Sequence, residues 1–148
     1  MTQRSPIGPI QKALYTWLSA DSALAALAPV YDNVVQPTPY PYVEIAEFSS
    51  TKNDSLGDQG RDVIVTLFTF SQNPGFLELE TIAQELLRLL DETSIPNTSA
   101  GMDPSLGWQI WDNQVILEEA IKTRMPDGLT RQYALRVRVS VSKIALGE

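Results

Sequence analysis

Tyr133-Ala134-Leu135-Arg136-Val137-Arg138-Val139-Ser140-Val141-Ser142 decides the fold class. Tyr133, Leu135, Val137, Val139 and Val141 fall on one side of an extended chain, and Ala134, Arg136, Arg138, Ser140 and Ser142 on the other, because successive side chains of a strand point to opposite faces. A strand with one dry and one wet face belongs to a sheet covered on one side, the habit of antiparallel sheets. Just upstream, Pro126-Asp127-Gly128 supplies a turn. Further back, Trp108 to Ile121 is apolar apart from Asp112-Asn113 and reads as a broken strand, with 115–122 open to strand or helix.

Asp62 to Phe70 is another strand, with Val63, Val65 and Leu67 alternating against Ile64, Thr66, Phe68 and Phe70, so both of its faces are expected to be covered. Tyr42 to Phe48 is a third, entered from Gln36-Pro37-Thr38-Pro39-Tyr40-Pro41, whose prolines forbid a helix. Two helices complete the pattern. One starts after Gly8 with Pro9 in its first position and carries Ile10, Leu14, Trp17 and Leu18 on one stripe. The other, capped by Asn73-Pro74, places Leu79, Ile82, Ala83, Leu86, Leu87 and Leu90 on one side. Between helix and strand, Asp21 caps a short Ala-rich turn of helix, Ser22 to Leu27, closed by Pro29. The predicted order is helix, strand, strand, helix, strand, strand. It implies an α+β fold: a mainly antiparallel, possibly mixed, sheet of about four to five strands with two main helices on one face.

With 148 residues, 43% hydrophobic and 20% charged, the chain is expected to form a single domain over 1–148. Two stretches interrupt it: a long exposed loop at 49–60, with one apolar side chain in twelve residues, and an irregular segment at 93–107 punctuated by Pro96, Gly101, Pro104 and Gly107. The amino terminus lacks the form of a secretory signal, and no apolar run approaches the roughly 20 residues that span a bilayer. The expectation is therefore a protein made in the cytosol, with no membrane partner.

Histidine and cysteine are both absent, which removes His-dependent triads, thiol nucleophiles, thiolate zinc sites and disulfides. No catalytic, cofactor-binding or metal residues are assigned. Glu44 and Glu47 sit three apart in a strand and are expected on opposite faces, unable to share a substrate. Ser140-Val141-Ser142-Lys143 fits an S-x-x-K string, but on a strand rather than the helical turn that chemistry needs. Eleven Lys and Arg against eighteen Asp and Glu give a net charge of −7, which opposes tight nucleic-acid binding because counterion release requires cations. The charges that remain look suited to protein contacts. Lys52, Asp54, Asp58 and Arg61 lie in or beside the 49–60 loop, and Arg131, Arg136 and Arg138 in or beside the last strand. These seven are the candidate subunit or partner interface, with Arg136 and Arg138 on one polar face set against acidic groups of an adjacent copy.

Four stretches stand in a telling order: Pro41-Tyr42-Val43-Glu44-Ile45, then Glu47-Phe48-Ser49-Ser50-Thr51, then Asp62-Val63-Ile64-Val65-Thr66-Leu67 ending at Phe70-Ser71, and finally Asp127-Gly128-Leu129-Thr130-Arg131. With the two helices, over roughly residues 9 to 142, the chain resembles the tail-completion, or tail-terminator, proteins of long-tailed bacteriophages. The resemblance implies a small α+β subunit without catalytic activity or cofactor. It implies a homo-oligomeric ring, typically a hexamer, that ends tail-tube growth and provides the head-to-tail joining surface. Its expected partners are itself, the tail-tube protein and head-neck connector proteins, with DNA passing through an acidic channel. Its expected place is the head-proximal end of the virion tail, after assembly in host cytoplasm. The competing readings are a head-side connector or other minor tail protein and, from a different class, a small carboxylate-dependent hydrolase or ligand-binding domain.

Overall fold

The computed structural model describes residues 4–32, 39–53, 55, 59–73, 76–125 and 128–144. In chain order the elements are helix α1 (Ile7–Ser19), the short helix α2 (Ser22–Ala25), and strands β1 (Val30–Tyr31), β2 (Tyr42–Lys52) and β3 (Gly60–Ser71). Helix α3 (Leu77–Leu90), a 3-10 turn (Pro104–Leu106) and strands β4 (Trp108–Met125) and β5 (Gly128–Lys143) follow. The sheet runs β1-β2-β3-β5-β4. Every neighbouring pair is antiparallel except β1 with β2, which is parallel and makes the sheet mixed.

Alternation in β5 and β3 fixes which way the sheet faces. Leu135, Val137, Val139 and Val141 pair with Leu67, Val65, Val63 and Arg61, and the apolar members of both strands are at most 1% exposed. Against them lie Ile10, Ala13, Leu14 and Leu18 of α1 and Leu79, Ile82, Ala83, Leu86, Leu89 and Leu90 of α3, joined in one core. Each such Leu or Ile contributes about 1.5–3 kcal/mol by leaving water. Leu89 takes the buried place expected of Leu87, which is only partly covered; the buried residues 79, 82, 83, 86, 89 and 90 recur at three- and four-residue spacing. Two polar ties lock the helices together: Trp17 Nε1 donates to Leu89 O at 3.0 Å, and Arg88 Nη2 meets Asp21 Oδ2 at 2.7 Å. The same Asp21 oxygen caps α2 by accepting from Leu24 N, as its sequence position predicts.

Several boundaries differ from the sequence expectation. Helix α1 begins at Ile7, so Pro9 is its third residue, still within the first turn where a missing N–H costs nothing. Helix α3 begins at Leu77 with Phe76 at its cap, and Asn73 makes no side-chain cap; Pro74 lies outside the described residues. Strand β2 continues to Lys52, since Ser49 to Lys52 pair with Ile64 to Arg61, so 49–52 of the loop expected over 49–60 are strand, and residues 54 and 56–58 of it lie outside the described residues. The polar Ser-Ser-Thr run is a strand because its partner supplies a ladder that composition could not reveal. In the 36–41 connection, residues 36–38 lie outside the described residues, as do 126 and 127 of the turn before β5. Residues 115–122 are strand.

Candidate assembly surface

Strand β4 is the outer edge of the sheet, and its two halves are treated differently. Along the first half, the chain leaving α3 runs beside the edge and covers its backbone groups. Asn97 accepts from Ile110 N at 2.7 Å and donates to Ile110 O at 3.0 Å, and Asp91 Oδ1 accepts from Val115 N at 3.0 Å. Asn113, 6% exposed, donates to Leu90 O and Thr93 O and accepts from Ile95 N. Gly101 permits the close return of this segment, since a Cβ there would stand 2.6 Å from Pro96 O. Register shifts at Trp111 and Ile116 bend the strand.

From Ile116 onward the cover ends. Ile116, Leu117, Glu118, Glu119, Ala120 and Ile121 are all exposed, although consecutive residues of a strand point to opposite faces. With Trp111, this strip holds four of the large apolar side chains left in water: Trp111 is 60% exposed, Ile116 47%, Leu117 40% and Ile121 37%. Only Trp111 has a polar anchor, donating from Nε1 to Ser142 Oγ at 2.7 Å.

The sheet face opposite the helices is open. Across it run rows set by the register: Glu44, Phe68, Ala134 and Glu119; then Glu47, Thr66, Arg136 and Leu117; then Ser49, Ile64, Arg138 and Gln114. Acidic β2 and basic β5 are two strands apart, about 10 Å. Among the described residues neither Arg136 nor Arg138 has an ion pair. Glu44 and Glu47 share this face, contrary to the expectation from their spacing, because the register shift at Ala46 adds a residue between them and restores the phase. Among the described residues no helix or strand covers the outer face of β3, also contrary to expectation. Phe68 and Phe70 are half-buried by each other and by Tyr42, with centroids 6.0 and 5.2 Å apart.

The residues singled out from sequence separate into groups. Arg136 is exposed and Arg138 half-buried on the open face. Arg131 is on the other face, 9% exposed, with its guanidinium 5.8 Å over the Phe76 ring, Nη1 donating to Asn73 O at 3.3 Å and Nε without a partner. Lys52, exposed, and Arg61, half-buried, are cross-strand neighbours at the far end of the β2–β3 hairpin. Asp54 and Asp58 lie outside the described residues. Asp62, their neighbour in sequence, ties that hairpin together by accepting from Asn53 Nδ2 at 3.0 Å and Ser140 Oγ at 2.7 Å. The exposed strip on β4 was missed. Its one sequence signal is the adjacent pair Ile116-Leu117, which no one-sided strand accommodates.

Tyr133 OH donates to Glu118, and burial first, then that carboxylate, push the phenol pKa well above its ordinary value. Among the described residues no cluster of three acidic, His or Cys side chains stands in position to hold a metal ion, and no helix is long and apolar enough to cross a membrane.

Residues 12–142 match the family described as Tail completion protein gp17. No curated protein sequence matches significantly. Among solved structures, a chain from the virion of a native gene transfer agent (GTA) particle has the same fold, with a TM-score of 0.72 at 20% identity, over 95% of this chain and 99% of that one.

Proposed function

The chain belongs to the Tail completion protein gp17 family, and we propose that it acts in phage tail assembly as a virion protein that caps the tail tube as a ring, stops tube polymerisation and presents the head-to-tail joining surface. The observation that carries this reading is the Ile116–Ile121 strip, a strand left bare on both sides at the end of the β4–β5 hairpin. Burying Ile116, Leu117 and Ile121 of this strip, with Trp111 beside it, in a contact returns several kcal/mol that the monomer forgoes. A ring of identical copies needs two different surfaces that fit each other, and the hairpin strip and the open face with Arg136 and Arg138 are two such surfaces.

The remaining contacts in this reading fall to Lys52, Asp54, Asp58 and Arg61 at the β2–β3 end, toward the tube or the neck connectors. Arg131 acts inside the subunit, holding Asn73 and Phe76 against β5. A hexamer is the ring size proposed, and its acidic charge lets DNA pass without adhering. Nothing in the reading requires catalysis. The test is direct: purified protein is mixed with growing tail tubes and the tube ends are imaged. Tubes that stop growing and carry a ring at one end are expected; tubes that keep lengthening with bare ends refute the reading.

A further inference from the structure

Two columns of opposite charge stand on the open face of the sheet. Glu44 and Glu47 lie on β2, and Arg136 and Arg138 on β5, with β3 between them. The columns are about 10 Å apart, and among the described residues none of the four side chains has an ion pair. Glu47 and Arg136 are exposed and stand in one row on either side of Thr66. Between them lies a shallow depression of about 280 Å³, lined by these three residues and by Ile64.

A face with this pattern is complementary to itself. A second copy laid face to face can be related to the first by a two-fold axis across the strands or along them. An axis across the strands sets β2 over β2 and β5 over β5, so acid meets acid and arginine meets arginine. An axis along β3 sets β2 of each copy over β5 of the other and leaves every row at its own level. Glu47 then faces Arg136 twice, Ser49 faces Arg138, and Glu44 faces Ala134, one row from Arg136. On the outer strands Glu119 faces Tyr31, because both share the row of Glu44. Ile64, Thr66 and Phe68 meet their own copies on the axis. So does Asp62, at the end of the face, where its carboxylate is already held by Asn53 Nδ2 and Ser140 Oγ. Sheets packed in this way lie about 10 Å apart and turn by up to about 30°. One strand from the axis, that turn moves a side chain by about 2.4 Å, well inside the reach of an arginine.

We propose that the free protein pairs with a second copy through this face, with Glu47 of each copy against Arg136 of the other. The contact is isologous, the same patch serving on both copies. From β2 to β4, and from the row of Thr51 to the row of Tyr42, the face measures roughly 19 by 27 Å. The pair therefore buries about 1,000 Å² in all, the low end of specific contacts, and is reversible. Its consequence rests on the reading of the previous section: a face taken by a second copy cannot receive the strip of the next copy in a ring, so the pair must part before capping. The face pairing itself does not depend on that reading.

Sedimentation velocity of the full-length protein without tubes, over about a hundredfold range of concentration, reads the pairing. A monomer–dimer equilibrium is expected. Glu47→Arg and Arg136→Glu each weaken it by about tenfold or more. Both residues are exposed, so both variants keep the fold, which circular dichroism checks. Mixing the two variants in equal amounts restores a dimer, because each supplies the charge that the other lacks. The chain contains no cysteine, so Ile64→Cys, on the axis, gives a second readout: a short bismaleimide joins copies two by two and never into a ladder. Protein that stays monomeric throughout, or single variants that do not recover on mixing, overturns the face pairing. No tube is present in these measurements, so a monomer that still caps tubes sinks the pairing alone, and a dimer that fails to cap them sinks the capping alone.

Discussion

Replacing Asn113 by Leu removes the pin that holds the chain after α3 against β4. The amide makes three hydrogen bonds, to Leu90 O at 2.8 Å, Thr93 O at 3.0 Å and Ile95 N at 3.0 Å, from a site that is 6% exposed. Leucine has the same branched outline with bulkier ends, so no cavity opens and the loss is chiefly polar. Each orphaned buried group costs about 1–3 kcal/mol. Thr93 is half-buried and regains some water, which puts the sum near the lower end, about 3 kcal/mol. For a chain of this length that lowers Tm by roughly 6–12 °C. Urea unfolding followed by tryptophan fluorescence reports it, since Trp108 is 1% exposed and next to the affected segment. The midpoint should fall with an unchanged slope. A variant within about 0.5 kcal/mol of the parent would mean that the segment is held by Ile95 and Met102 packing alone, and that the polar account of the covered edge is mistaken.

Arg131→Met should cost less than about 1 kcal/mol, or stabilise, because the buried guanidinium has an unsatisfied Nε and, among the described residues, no carboxylate partner to repay its desolvation; thermal denaturation checks this, and a loss above about 3 kcal/mol would show a partner beyond those contacts. Tyr133 should fail to ionise at the ordinary phenol pH near 10 in an absorbance titration. Its folded-state pKa is raised, so its contribution to stability is complete below about 10 and is lost as pH rises above that; ionisation of all five tyrosines as one unperturbed class would contradict it.

Much of the fold was legible because burial writes itself into periodicity. The alternation from Tyr133 to Ser142 gave a strand with a dry and a wet side, and both sides are where that alternation put them. The α3 stripe was nearly as clear. Fold class and family followed, and the family is what the match over 12–142 shows. The missing pieces each depended on a partner distant in sequence. Val30-Tyr31 is too short to have a period and is a strand only because Val43 and Glu44 lie beside it. Ser49 to Lys52 is polar enough to read as loop and is a strand because β3 offers a ladder. Glu44 and Glu47 share a face because one inserted residue shifts the phase, an event that periodicity registers only as a defect.

The candidate surface divides the same way. Arg136 and Arg138 could be placed together from spacing alone, since two residues along a strand is one full pleat. Arg131, five residues from Arg136, was grouped with them by sequence and is on the opposite face against Asn73 and Phe76. The sequence by itself determined composition-level chemistry, the α+β class and the faces of its regular strands, because those are properties of neighbours along the chain. Which strand ends the sheet, and how far its edge is covered, were decided only in three dimensions. An edge is defined by the absence of a neighbouring strand, and no local pattern records an absence of that kind.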